Sequence, residues 1–218
     1  MEGPASQSTA GPRCLVIACG AVARELLALI RLNGWQGFTV TCLPAIWHNR
    51  PERIAEGVRG KIRKYGAAYD RVIVAYGDCG TGGALDAVIE EEGAERISGP
   101  HCYSFYAGAE AFEGLQDEEI GTFYLTDYLV RHFDRLIIAG LGLDRHPDLL
   151  PVYFGNYRRV VYLAQTEDAD LTARAEAAAR RLGLDFERRH TGFGELGDFL
   201  ARAAEEVRRP VEEDGWPN

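Results

Sequence analysis

"RVIVAYGDCGTGG", residues 71–83, decides the fold. Arg71–Tyr76 is a short apolar run of β-branched residues, the pattern of a strand buried on both faces. Four glycines follow within seven residues, interleaved with Asp78, Cys79 and Thr81, and then a helix-forming stretch begins at Ala84. A turn needs one or two glycines. Four around a thiol imply close approach to the backbone and to the sulfur.

The same grammar recurs outward from this stretch. Cys14–Ala18 is an apolar run followed by the amphipathic "CGAVARELLALIRLNG", with Gly34 as a stop. Phe38–Leu43 reads as a second strand, leading through "PAIWHNRPE" to a helix over 52–65. Ala94–Ser98 reads as a short strand, and the spacing predicts a helix over 122–133 and a strand at Leu136–Ala139. Val160–Ala164 is a further strand before a helix over 169–182. Asp185–Arg189 is an edge strand, and an amphipathic helix spans 195–207.

Strands that are apolar throughout and alternate with helices specify an α/β protein of three layers, with a mostly parallel sheet and helices on both faces. "VIACG", "VIVAYG" and "LIIAGLG" echo one another and leave open two similar lobes, 13–120 and 121–208, within one domain over 13–208. Residues 1–12 read as a disordered leader without the apolar centre of a signal peptide, and 209–218 as an acidic tail.

A formal net charge of −9 with no Lys/Arg block argues against nucleic acid or an anionic membrane as partner. No apolar stretch is long enough to span a bilayer, so the expected location is the cytoplasm. Five cysteines form neither an even count nor a dense framework, which points to free thiols serving as buried hydrophobes, metal ligands or nucleophiles.

In an open parallel sheet the carboxyl ends of the strands share one rim, where ligands bind. The reading places Cys19, Cys79 and Cys102 there, a donor set suited to zinc with an open position or, alternatively, to an iron–sulfur cluster. Cys14 and Cys42, inside or near strands, read as buried hydrophobes. His48, His101 and His146 fall in loops at the same rim as fourth ligands or acid/base groups. His132 and His190 read as structural. In "LDRHP", Asp144 is placed to orient His146, and Arg145 to hold a carboxylate or phosphate. Asp78, Thr81, Gly82, Tyr103, His48 and Arg50 are the candidate substrate contacts. Tyr103 belongs to a set of loop aromatics able to wall a pocket, with core capping or a subunit interface as the competing role.

"YGDCGTGG", "GPHCY", "GTFYLTD" and "GLGLDRHP" together resemble the bacterial and archaeal domain-of-unknown-function family numbered 1638, over about Cys14 to Leu196. The resemblance implies an association with corrinoid and methylamine-type methyltransferase systems, hence one-carbon chemistry and corrinoid or methyltransferase proteins as partners. The three thiols lead us to expect a thiolate-metal enzyme acting on a small molecule, an anionic one included, and the resemblance adds methyl transfer as the reaction it implies. Two alternatives stand beside it. One is a metal-free cysteine enzyme with Cys79 as nucleophile or base. The other is a non-enzymatic protein that captures a small ligand or delivers a metal.

Overall fold

A computed structural model of the chain describes residues 12–208; the leader and the acidic tail read above lie outside the described residues, apart from Pro12. The chain order is β1 (Cys14–Cys19), α1 (Ala23–Leu32), β2 (Phe38–Leu43), α2 (Ile54–Tyr65), β3 (Arg71–Ala75), α3 (Ala84–Glu91) and β4 (Glu95–Arg96). Then come α4 (Cys102–Ala107), α5 (Ala109–Glu118), β5 (Thr122–Thr126), α6 (Asp127–Arg131), a π-helical turn (Asp134–Ile138) and α7 (Leu150–Phe154). β6 (Arg159–Ala164), α8 (Ala169–Leu182), β7 (Asp185–His190) and α9 (Gly194–Arg208) complete it.

The strands form two parallel sheets, β2-β1-β3-β4 and β5-β6-β7. All six residues of β1 are buried, as expected for a central strand covered on both faces. α2 and α3 lie together, tied by Arg59 to Glu91 and Glu92. α1 and α9 meet where Gly197 faces Leu29. The chain passes from the first sheet to the second between Arg96 and Thr122, through α4 and α5. α9, however, returns to the first sheet: Leu196, Phe199, Leu200 and Ala203 join the core of β1 and β3.

The stretches read as aromatic loops carry short helices, α4 with Tyr103, then α5 and α7, and two further elements differ from the sequence reading together. Thr122–Thr126 is a strand, and the helix after it is only the five residues of α6. The β-branched and aromatic "TFYLT" pairs in register with β6, Thr122 opposite Arg159, and burial across the pair outweighs the helical spacing. Leu136–Ala139, the expected strand, is instead part of the π-helical turn and the residue that ends it. A short apolar run fits a buried strand and a buried helical turn equally well by periodicity. This one lies in the crossover between β5 and β6, so "LIIAGLG" is no third copy of the strand–turn unit. β4 shrinks to Glu95–Arg96.

Candidate active site

β3 delivers the chain into the glycine turn, where the glycines serve two purposes. A Cβ on Gly77 would lie 3.0 Å from His101 Cα and 3.1 Å from its carbonyl carbon, so two backbones touch at that point. Gly80, Gly82 and Gly83 have φ of 84°, 61° and 87°, left-handed values that favour glycine. Cys79, at φ 49°, is the one non-glycine among the described residues with positive φ. Backbone strain of this kind persists where the surroundings over-determine it. Here they do. The Asp78 N–H donates to Gly99 O at 3.0 Å and the Cys79 N–H to Pro100 O at 2.8 Å, pinning the "GPHC" loop onto the turn.

The Asp78 carboxylate fills the inside of its own turn. It accepts from Thr81 Oγ1 at 2.5 Å and from the N–H groups of Gly80, Gly83 and Gly82 at 3.1, 3.1 and 3.3 Å. These donors, the Thr81 hydroxyl first, hold Asp78 below the usual carboxylate range. Asp78, Thr81 and Gly82 thus form a self-satisfied loop that carries Cys79, and none of the three lines the cavity beside it.

That cavity, about 260 Å³, collects the three thiols read from the sequence: Cys19 at the end of β1, Cys79 in the turn and Cys102 at the start of α4. Tyr76 and Tyr103 stand beside them. The opposite wall comes from the second sheet and its crossover, including Phe123, Thr126 and Ile137. Burial pushes the Cys79 thiol up to about 12, repulsion from Cys19 adds to this, and an N–H bond from Cys102 opposes it. Burial likewise raises Cys19 and Cys102, and each of Cys19 and Cys79 raises Cys102 further by its charge. The three thiols therefore feel one another electrostatically, and the cavity keeps them protonated at neutral pH. Cys14 is fully buried within β1, and Cys42 lies on the edge strand β2, as hydrophobes.

His48 sits at the mouth, with its ring centroid 5.9 Å from that of His101, which in turn stands 5.9 Å from Tyr103. Partial desolvation lowers both imidazoles, and His101 lowers His48 further, so both are neutral at pH 7. His101 Nδ1 is buried without a hydrogen-bond partner. Neutral imidazoles and thiols are the right donor types for a soft metal. Among the described residues, no three His, Cys, Asp or Glu side chains are already grouped as ligands of one ion. The donor types suit zinc, and the side chains as they stand do not form a ligand set.

The remaining candidates lie elsewhere. Asp144, Arg145 and His146 occupy an exposed loop, Arg145 Nε 3.8 Å from Asp144 Oδ1, and they do not line the cavity. The physical reason is the π-helical turn: with no strand at 136–139, this loop does not follow a strand end. Arg50 is exposed between two 3₁₀ turns.

Two buried carboxylates escape a reading that starts from loops. Asp127, 0% exposed, accepts from Tyr162 Oη at 2.7 Å, Thr166 Oγ1 at 2.6 Å and the Gln165 N–H at 3.0 Å, locking the ends of β5 and β6 together. Glu25, 4% exposed, has an unpartnered Oε2, and burial raises its pKa. Its signal was present: Glu25 falls on the apolar stripe Val22, Leu26, Leu29 of α1.

The fold and this cavity define an α/β protein whose candidate site lies where β1, β3 and β5 end, walled by thiols, phenols and hydrocarbon. A family model described as Protein of unknown function (DUF1638) matches residues 42–200, and the chain belongs to that family. No curated protein matches it. No helix among the described residues is long and apolar enough to cross a membrane.

Proposed function

We propose that the chain is a metal-dependent enzyme whose cavity holds a soft metal ion on Cys19, Cys79 and Cys102, zinc before an iron–sulfur cluster, with His48 or His101 as the further donor. The observation that carries this reading is the convergence of the three thiols of Cys19, Cys79 and Cys102 on one cavity whose wall holds no Lys or Arg. A soft cation is the natural agent to displace the thiol protons. When bound, zinc supplies a Lewis acid able to lower the pKa of a coordinated thiol or water. The chain's own part is to release the thiol protons, to orient the ligands from the pinned 77–79 and 99–102 loops, and to exclude water with aromatic walls.

Methyl or other one-carbon transfer, with corrinoid or methyltransferase proteins as partners, is the reaction class we assign. Five free thiols favour a reducing, cytoplasmic setting. A metal-free reading with Cys79 as nucleophile gains less support, because a thiol at about 12 is scarcely ionised at pH 7.

The test is elemental analysis and a visible spectrum of the full chain purified without oxygen and without added metal. About one zinc per chain, lost in Cys79→Ser, supports the proposal. A brown, iron-containing protein moves it to the cluster. No stoichiometric metal, and none taken up on titration, overturns it.

A further inference from the structure

The chemistry of the cavity wall says what kind of molecule enters. Charged residues make up 26% of the chain, yet not one Asp, Glu, Lys or Arg lines this cavity. Its wall is hydrocarbon and aromatic surface from both halves of the chain, such as Phe105, Phe123, Leu129 and Ile137, interrupted by thiols, phenols, the Thr126 hydroxyl, the Asn49 amide and, at the mouth, the neutral His48 imidazole. The backbone donors of the glycine turn, which would otherwise suit an anion, are consumed by Asp78. One fully buried polar atom of the wall lacks an oxygen or nitrogen partner: the Tyr76 hydroxyl, in a residue 1% exposed. It lies beside the Cys19 thiol, whose sulfur is at most a weak acceptor.

We propose that the cavity takes an uncharged, largely apolar small molecule carrying a single hydrogen-bond acceptor, which the Tyr76 hydroxyl holds. This rests on the reading of the cavity as the functional site and names its substrate class. An unpaired buried hydroxyl gains most from a ligand acceptor that satisfies it. A charged ligand would surrender its hydration with no countercharge in the wall. A soft metal cation is not excluded by the same argument, since thiols that lose protons to it neutralise its charge. The volume, about 260 Å³, matches a small ring or short chain rather than a nucleotide.

The experiment compares three probes of one shape on the full chain: cyclohexanone, cyclohexanecarboxylate and cyclohexylammonium, followed by methyl NMR and calorimetry. Cyclohexanone should shift the methyls of Val22, Leu129 and Ile137 and bind at least about tenfold tighter than either ion. Tyr76→Phe, checked for native circular dichroism, should weaken the ketone about tenfold. Equal binding of the carboxylate, or no shift of the cavity methyls by the ketone, overturns the proposal, and the wild-type comparison decides this whether or not the variant folds. A folded Tyr76→Phe that binds the ketone like wild type overturns the role of Tyr76. Zinc titration of the same sample separates the two readings. Zinc uptake without ketone binding defeats only the substrate class, and ketone binding without zinc uptake defeats only the metal.

Discussion

Gly77 and His101 touch backbone to backbone, and this contact sets the distance between Cys79 and Cys102. The space a Cβ on Gly77 would need is already held by the N, Cα and C of His101 at 3.0–3.1 Å. The hydrogen bonds from residues 78 and 79 to residues 99 and 100 clamp the same two loops. The thiols are carried by that clamp.

Gly77→Ala should therefore cost about 1–3 kcal/mol of stability, because one of two mutually bonded backbones must move. Gly82→Ala, with open space but φ 61°, should cost only about 1 kcal/mol. Urea unfolding of both variants checks the order. A smaller loss at Gly77 than at Gly82 would refute the clamp.

Cys79 should resist alkylation. With its thiol pushed up to about 12, its thiolate fraction at pH 7.5 is roughly a thousandfold below that of an ordinary cysteine. Iodoacetamide labelling read by peptide mass spectrometry in metal-free protein should find Cys79 modified far more slowly than a free cysteine, and faster as the pH rises. Rapid labelling at pH 7.5 would favour the nucleophile reading.

Acid should loosen the glycine turn through Asp78. Its folded pKa lies below the ordinary value, so its contribution is fully present above the unfolded pKa of about 4 and is lost as pH falls through the folded value. Asp78→Ala should remove that part of the acid sensitivity. Unfolding curves at pH 6 and pH 3 would show a smaller difference for the variant than for wild type.

Glu25 should act with the opposite sign. Burial raises its folded pKa, so the neutral acid is tolerated at low pH, and stability is lost as pH rises through the folded value. Glu25→Gln should be nearly neutral at pH 4 and stabilising at pH 8. A variant less stable than wild type at pH 8 would mean that the ionised carboxylate is supported by Arg131 and Arg24, whose charges oppose the shift.

The Asp127 network should behave as one unit. Asp127→Ala strands two buried donors, the Tyr162 hydroxyl and the Gln165 N–H, besides the exposed Thr166 hydroxyl, and should cost about 3 kcal/mol. Asp127→Ala, Tyr162→Phe and the double variant should be non-additive by about 1 kcal/mol in a double-mutant cycle. Strict additivity would show that the hydroxyl contributes independently.

The sequence by itself determined the parallel α/β class, since apolar strands such as Cys14–Cys19 can only be covered on both faces. It also determined the special nature of Tyr76–Gly83, because a cluster of glycines around Cys79 needs a backbone that ordinary residues resist. It placed Cys19, Cys79 and Cys102 at strand ends, and all three line one cavity. Only the tertiary structure decided between strand and helix for Thr122–Thr126 and Leu136–Ile138, because runs that short carry no decisive period and their burial partners lie tens of residues away. That choice moved Asp144, Arg145 and His146 out to an exposed loop and put Phe123, Thr126 and Ile137 onto the cavity wall. The tertiary structure also pinned the glycine turn onto the 99–100 loop, through bonds some twenty residues apart that residue identity alone does not specify.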